Sequence, residues 1–89
     1  MLRSTITISN RLGLHARASA KLTKLCASFA SEIFLTRNDR RVNAKSIMGV
    51  MMLAAGLGSE VAIEVDGPDE QAAMQAVRAL IDGKFGEGE

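Results

Sequence analysis

Residues 2–9, Leu2-Arg3-Ser4-Thr5-Ile6-Thr7-Ile8-Ser9, set Leu2, Ser4, Ile6 and Ile8 against Arg3, Thr5, Thr7 and Ser9 in strict alternation. Successive strand side chains point to opposite faces, so this pattern predicts a strand with one buried and one wet face. Asn10 to Leu14 is then a loop containing Gly13. Beyond it the period changes. Ala18, Leu22, Leu25, Cys26 and Phe29 recur at i, i+4, i+7, i+8 and i+11, one face of a helix over Ala16 to Phe29. Arg17, Lys21 and Lys24 fall on the other side as a basic stripe.

The same two periods continue outward. Glu32 to Arg37, rich in β-formers, reads as a second strand, and Asn38-Asp39 as a tight turn into a short return strand, Arg40 to Ala44. Ser46 is placed to cap a short helix from Ile47 to Ala54 or Ala55, ended by Gly56 and Gly58. Its predicted buried face is Ile47–Met51–Ala54, which leaves Met48 and Met52 exposed. Val61, Ile63 and Val65 alternate with Glu60, Ala62 and Glu64 in a fourth strand. Gly67-Pro68 punctuates, and Asp69 and Glu70 suit the positive end of a third helix whose buried face is Ala73, Val77, Leu80 and Ile81. Gly86 to Glu89 is expected to fray.

The order β-α-β-β-α-β-α, without repeat or linker, predicts a single α+β domain over residues 1–89. Strands with one apolar face call for a sheet covered on one side only. The expected fold is an open-faced β-sandwich: a four-stranded, mainly antiparallel sheet with three helices packed on one face.

Apolar residues make up 47% of the 89, with no tryptophan or tyrosine, so the core must come from Ile, Leu, Val, Met and Ala. A chain this short can hardly enclose a deep substrate cleft and keep a core. That favours a module working against other proteins. Residues 1–45 carry nine Lys/Arg and two Asp/Glu (+7), and residues 46–89 two and eight (−6). Such asymmetry marks an interaction with an acidic partner or with nucleic acid, or else two halves whose charges interleave on one surface. Cys26, the one cysteine, excludes an internal disulfide and reads as a buried thiol. No apolar run reaches membrane-spanning length and no secretory signal is present, so a cytoplasmic protein is expected.

His15 is the only histidine. No spaced ligand set accompanies it, so no metal is expected; no orienting acid adjoins it in sequence, and no Gly-rich phosphate loop or cofactor motif occurs. It stands immediately before a helix start, where backbone N–H groups lack intrahelical partners and the dipole favours negative charge. A phosphoryl group on the ring would meet those donors and the Arg17 guanidinium. The same positive end disfavours imidazolium and keeps the ring nucleophilic. Position alone, however, favours an incidental loop histidine. Ser46 is likewise first an N-cap, though a hydroxyl at a helix start is also a phosphorylation site whose added charge the dipole tolerates. Arg37, Arg40 and Arg41 lack interleaved aromatic residues, so a solvated hairpin tip is expected there and no nucleic acid.

Gly13-Leu14-His15-Ala16-Arg17 closely resembles the active-site motif of the HPr family, the histidine-containing phosphocarriers of the bacterial phosphoenolpyruvate-dependent phosphotransferase system. Asn43-Ala44-Lys45-Ser46-Ile47-Met48-Gly49-Val50-Met51 resembles its second signature. The resemblance runs the length of the chain and extends to nitrogen-related paralogues of the family. It implies that His15 receives phosphate from phosphorylated enzyme I through Nδ1 and passes it to an enzyme IIA component, with Arg17 steadying the phosphoryl group. It implies a carrier rather than a turnover enzyme on a small molecule, a monomer serving sugar transport. Ser46 would be the acceptor for HPr kinase/phosphorylase, its state read by regulatory proteins. Ala20, Lys21, Lys24, Ile47, Met48 and Met52 would form the partner-docking patch. One departure stands out: the family pattern His-Ala-Arg-Pro here ends in Ala18.

Overall fold

In the computed structural model, which describes residues 1–87, four strands form one sheet in the order β1-β4-β2-β3, every neighbouring pair antiparallel. The strands are β1 (Leu2–Thr7), β2 (Glu32–Arg37), β3 (Arg40–Asn43) and β4 (Glu60–Asp66). The helices are α1 (Ala16–Ala27), α2 (Ile47–Met52) and α3 (Glu70–Asp82). A short 3-10 turn, η1 (Lys84–Gly86), follows α3. This is the expected open-faced sandwich.

Register carries the alternation through the sheet. Ser4 lies opposite Ile63, and Ile63 opposite Leu35, while one residue on Thr5, Ala62 and Thr36 make the outer row. Ile6, Val61, Ile63, Val65, Ile33 and Leu35 are buried beneath the helices and join Leu22, Val50, Val77, Ile81 and Phe85 in one core. A one-residue slip would turn that whole set to water, which is why the register is strongly specified. On the open face the Arg41 guanidinium lies 3.8 Å from the Phe34 ring centroid and pairs with Glu64 at 3.1 Å. Arg37 and Arg40 donate to the Leu53 and Met52 carbonyls, where α2 leaves acceptors unmet. Arg37 and Arg40 therefore tie the hairpin tip to the end of α2, while Arg41 stays on the open face of the sheet; Arg40 and Arg41 remain exposed, as a solvated tip requires.

The first and third helices bury the predicted stripes with additions. α1 ends at Ala27, and Ser19 joins Ala18, Leu22 and Cys26 as buried, its hydroxyl donating to the Leu14 carbonyl. Leu25 and Phe29 are only partly buried against the core. In α3, Met74 is buried and Leu80 only partly so. The second helix departs further. Val50 is its buried residue, followed by Leu53, whereas Ile47 and Met51 are 38% and 40% exposed. The predicted Ile47–Met51–Ala54 face is therefore not the packed one. Gly49 explains the rotation: a Cβ there would stand 3.3 Å from Val42 Cβ, so the helix leans on β3 along the edge that bears Gly49 and Val50. The helix also stops at Met52, before the glycines, because Ala54 turns left-handed at φ 51°.

Asn38 takes the left-handed turn position at φ 57°, as its place between β2 and β3 requires. Asp69 precedes α3 but does not cap it; its carboxylate instead accepts from the Ala30 and Ser31 N–H groups and the Ser31 hydroxyl. Those bonds hold its carboxyl below the usual range.

Cys26 is fully buried, and burial pushes its thiol up to about 12. The thiolate is the reactive form. At pH 8 the folded protein should therefore leave a thiol-disulfide reagent unreacted, and denaturant should expose one reactive thiol per chain; rapid labelling of the folded state would contradict this packing.

Candidate functional site

His15 is the N-cap of α1, with extended backbone at φ −73° and ψ 178°, and among the described residues its side chain makes no cap bond to the helix. Most helices use Ser, Thr, Asp or Asn here to satisfy an orphan N–H. An imidazole in that place leaves the first-turn donors, and the positive end of the dipole, to an incoming anion.

The loop before it is tightly held. Gly13 has φ 65°, and a Cβ there would stand 2.4 Å from the Ala55 carbonyl oxygen and 2.6 Å from Gly56 Cα. Leu14 N–H donates to that same carbonyl at 2.8 Å. Asn10, fully buried, donates through Nδ2 to the Gly13 carbonyl at 2.8 Å. The histidine is thus set by backbone contacts to the segment that follows α2.

An open cavity of about 400 Å³ surrounds the ring, lined by Arg11, Leu12, His15, Arg17 and Glu87. The His15 side chain is 27% exposed and its Nε2 lies 2.6 Å from Glu87 Oε2. Asn10 Nδ2 also donates to Glu87 Oε1 at 3.1 Å. The hydrogen bond from His15, then that from Asn10 and the charge of Lys21, hold the Glu87 carboxyl below the usual carboxylate range. A lowered folded value means that the contact stabilises the fold above the ordinary carboxylate pKa, and that this is lost as pH falls through the folded value. Glu87 was expected to fray with Gly86; instead η1 orders Gly86 and the carboxylate closes on His15. Gly88 and Glu89, assigned to the same frayed end, lie outside the described residues. The sequence holds no local sign of this, because 72 residues separate the partners.

Arg17, in the first turn of α1, is exposed on the cavity wall. Ala20 and Lys24 are exposed along the same helix, and Lys21 is half-buried with its Nζ on the Phe85 carbonyl at 2.6 Å. Ser46 caps α2 as expected, its exposed hydroxyl accepting from Gly49 N–H at 3.1 Å. On α2, Met48 and Met52 are 68% and 57% exposed, as predicted, and Ile47 and Met51 join them. α1 packs against α2, so both helices belong to one side of the molecule.

Residues 2–83 match the family described as the PTS HPr component phosphorylation site. The chain belongs to the HPr phosphocarrier family of the phosphotransferase system. Phosphocarrier protein HPr of Cupriavidus necator is 65% identical over all 89 residues of both chains, and that of Neisseria meningitidis 57% over the same span. A crystal structure of HPr-C-His from Thermoanaerobacter tengcongensis superposes with a TM-score of 0.94 at 42% identity, covering 98% of each chain. The sandwich is therefore the family's fold.

Gly13 carries both a left-handed conformation and a backbone contact closer than any Cβ allows. Gly13→Ala should lower stability by ~2 kcal/mol or more, read as a falling midpoint in thermal or urea unfolding. A stability within ~0.5 kcal/mol of the parent, the range of ordinary surface changes, would show that the loop can move away from Ala55.

Proposed function

We propose that this protein carries a phosphoryl group on His15 Nδ1, taking it from phosphorylated enzyme I and passing it to an enzyme IIA component in the cytoplasm. The observation that carries the reading is the histidine itself: an N-cap without a cap bond, facing an open cavity beside Arg17. The Nδ1 lone pair forms the bond to phosphorus while the bond to the donor breaks, its electron pair leaving with the donor. Helix N–H groups and the Arg17 guanidinium receive the phosphoryl oxygens, and charge-assisted bonds of this kind are among the stronger ones available. On this reading the chain is a carrier that binds two proteins in succession rather than a turnover enzyme on a small molecule. The patch of Ala20, Lys21, Lys24, Ile47, Met48 and Met52 is suited to that, because thioether side chains adapt to differently shaped surfaces. Sugar uptake is the process the carrier would feed, with the sugar chosen by its partners.

Incubation with phosphoenolpyruvate and enzyme I should add one acid-labile phosphate per chain. His15→Ala should abolish it; a variant still labelled at the parental rate would disprove the assignment. Arg17→Ala should fold normally and take up phosphate more slowly.

A second reading is favoured by Ser46, exposed at a helix start beside the methionine patch. We propose that HPr kinase/phosphorylase modifies it, and that regulatory proteins read the result. The phosphate would add about −1.5 to −2 of charge next to the docking surface while the positive helix end keeps the fold intact. Ser46→Ala should cost ~1 kcal/mol through the lost cap yet leave His15 labelling intact. Ser46→Asp should keep the cap and slow transfer from enzyme I roughly tenfold, the effect of ~1.4 kcal/mol at an interface. Unchanged transfer in Ser46→Asp would remove Ser46 from the docking surface.

A further inference from the structure

We infer that Glu87 is a positioning residue for His15: its carboxylate holds the proton on Nε2 and so leaves the Nδ1 lone pair for the phosphoryl group. This rests on the carrier reading above. A neutral imidazole has one donor and one acceptor nitrogen, and the partner of one decides the role of the other. Glu87 Oε2, 2.6 Å from Nε2, can only accept when ionised, so Nε2 donates.

The contact is delivered by a segment held at several points. Phe85 is buried to 1% exposure and anchors η1 in the core. Lys84 and Phe85 both adopt left-handed backbone, at φ 56° and 55°, which L-residues keep only where their surroundings demand it. Lys21 of α1 donates to the Phe85 carbonyl. Asn10 then joins the two halves of the site, bonding Gly13 in the histidine loop and Glu87 through the same nitrogen. With a side chain only 15% exposed, Glu87 is also protected from competing water.

The chemistry follows from where the carboxylate sits. When Nδ1 forms its bond to phosphorus, Nε2 keeps its proton and the ring becomes cationic. The carboxylate across the ring offsets that charge without meeting the phosphoryl oxygens. On onward transfer the N–P electron pair returns to the ring, which leaves as a neutral imidazole. A carboxylate behind a catalytic imidazole acts this way elsewhere, by fixing tautomer and stabilising imidazolium without taking the proton.

The test compares full-length parent, Glu87→Ala and Glu87→Asp, with thermal unfolding as a check on folding. Ring-labelled nitrogen NMR of the unphosphorylated parent at neutral pH should show a slowly exchanging proton on Nε2. Glu87→Ala should lose that signal, and Glu87→Asp should recover part of it. The rate of phosphate uptake from phosphorylated enzyme I should fall about tenfold in Glu87→Ala, the low end of what such supporting partners contribute, and recover partly in Glu87→Asp. Ring spectra or uptake rates identical in Glu87→Ala and parent would overturn the role. A parent that shows the Nε2 signal but never takes up phosphate would overturn the carrier reading, and this role with it.

Discussion

The hydrogen bond from Leu14 N–H to the Ala55 carbonyl is the join on which the site depends. It can form only because residue 13 has no Cβ to keep the two backbones apart. A few residues away, Ile8 and the Gly58–Ser59 segment exchange a further pair of backbone bonds. The loop ahead of α1 is thus stitched to the loop behind α2 by main-chain groups on both sides. Main-chain bonds constrain position more tightly than pairs of long side chains, because no rotamer freedom remains at either end. His15 inherits that rigidity, and a histidine standing as N-cap can then leave the helix donors unspent.

The charge asymmetry of the chain is resolved in the same economical way. Arg41 of the basic half pairs with Glu64 of the acidic half while covering Phe34, and Lys21 lies near the carboxylate of Glu87. Arg37 and Arg40 are turned onto helix carbonyls. The two halves therefore interleave across the fold, and Arg17, exposed in the first turn of α1, stays on the wall of the cavity around His15.

Most of the fold was legible because period 2 and period 3.6 are direct consequences of burying one face. β1, β4 and the stripes of α1 and α3 all follow from that rule. α2 was the weak point. Six residues make too short a run for a period to declare itself, and Gly49, which contributes nothing to an apolar pattern, sets the contact with Val42. The end of α2 was misplaced because an alanine, Ala54, took the left-handed position usually given to glycine. Ser19 reads as polar yet is buried, because its hydroxyl satisfies the Leu14 carbonyl.

What the sequence by itself determined is the layered sandwich, and a histidine and a serine each at the start of a helix. All of these depend on neighbours within a few residues, where pattern and capping chemistry act. What only the tertiary structure decided is how His15 is held and by whom. Asn10, Glu87 and Ala55 come to it from three separate stretches of chain. Glycine and glutamate near a chain's end carry no local instruction to order. Their order comes from Phe85 entering the core, a long-range burial that no window of sequence contains.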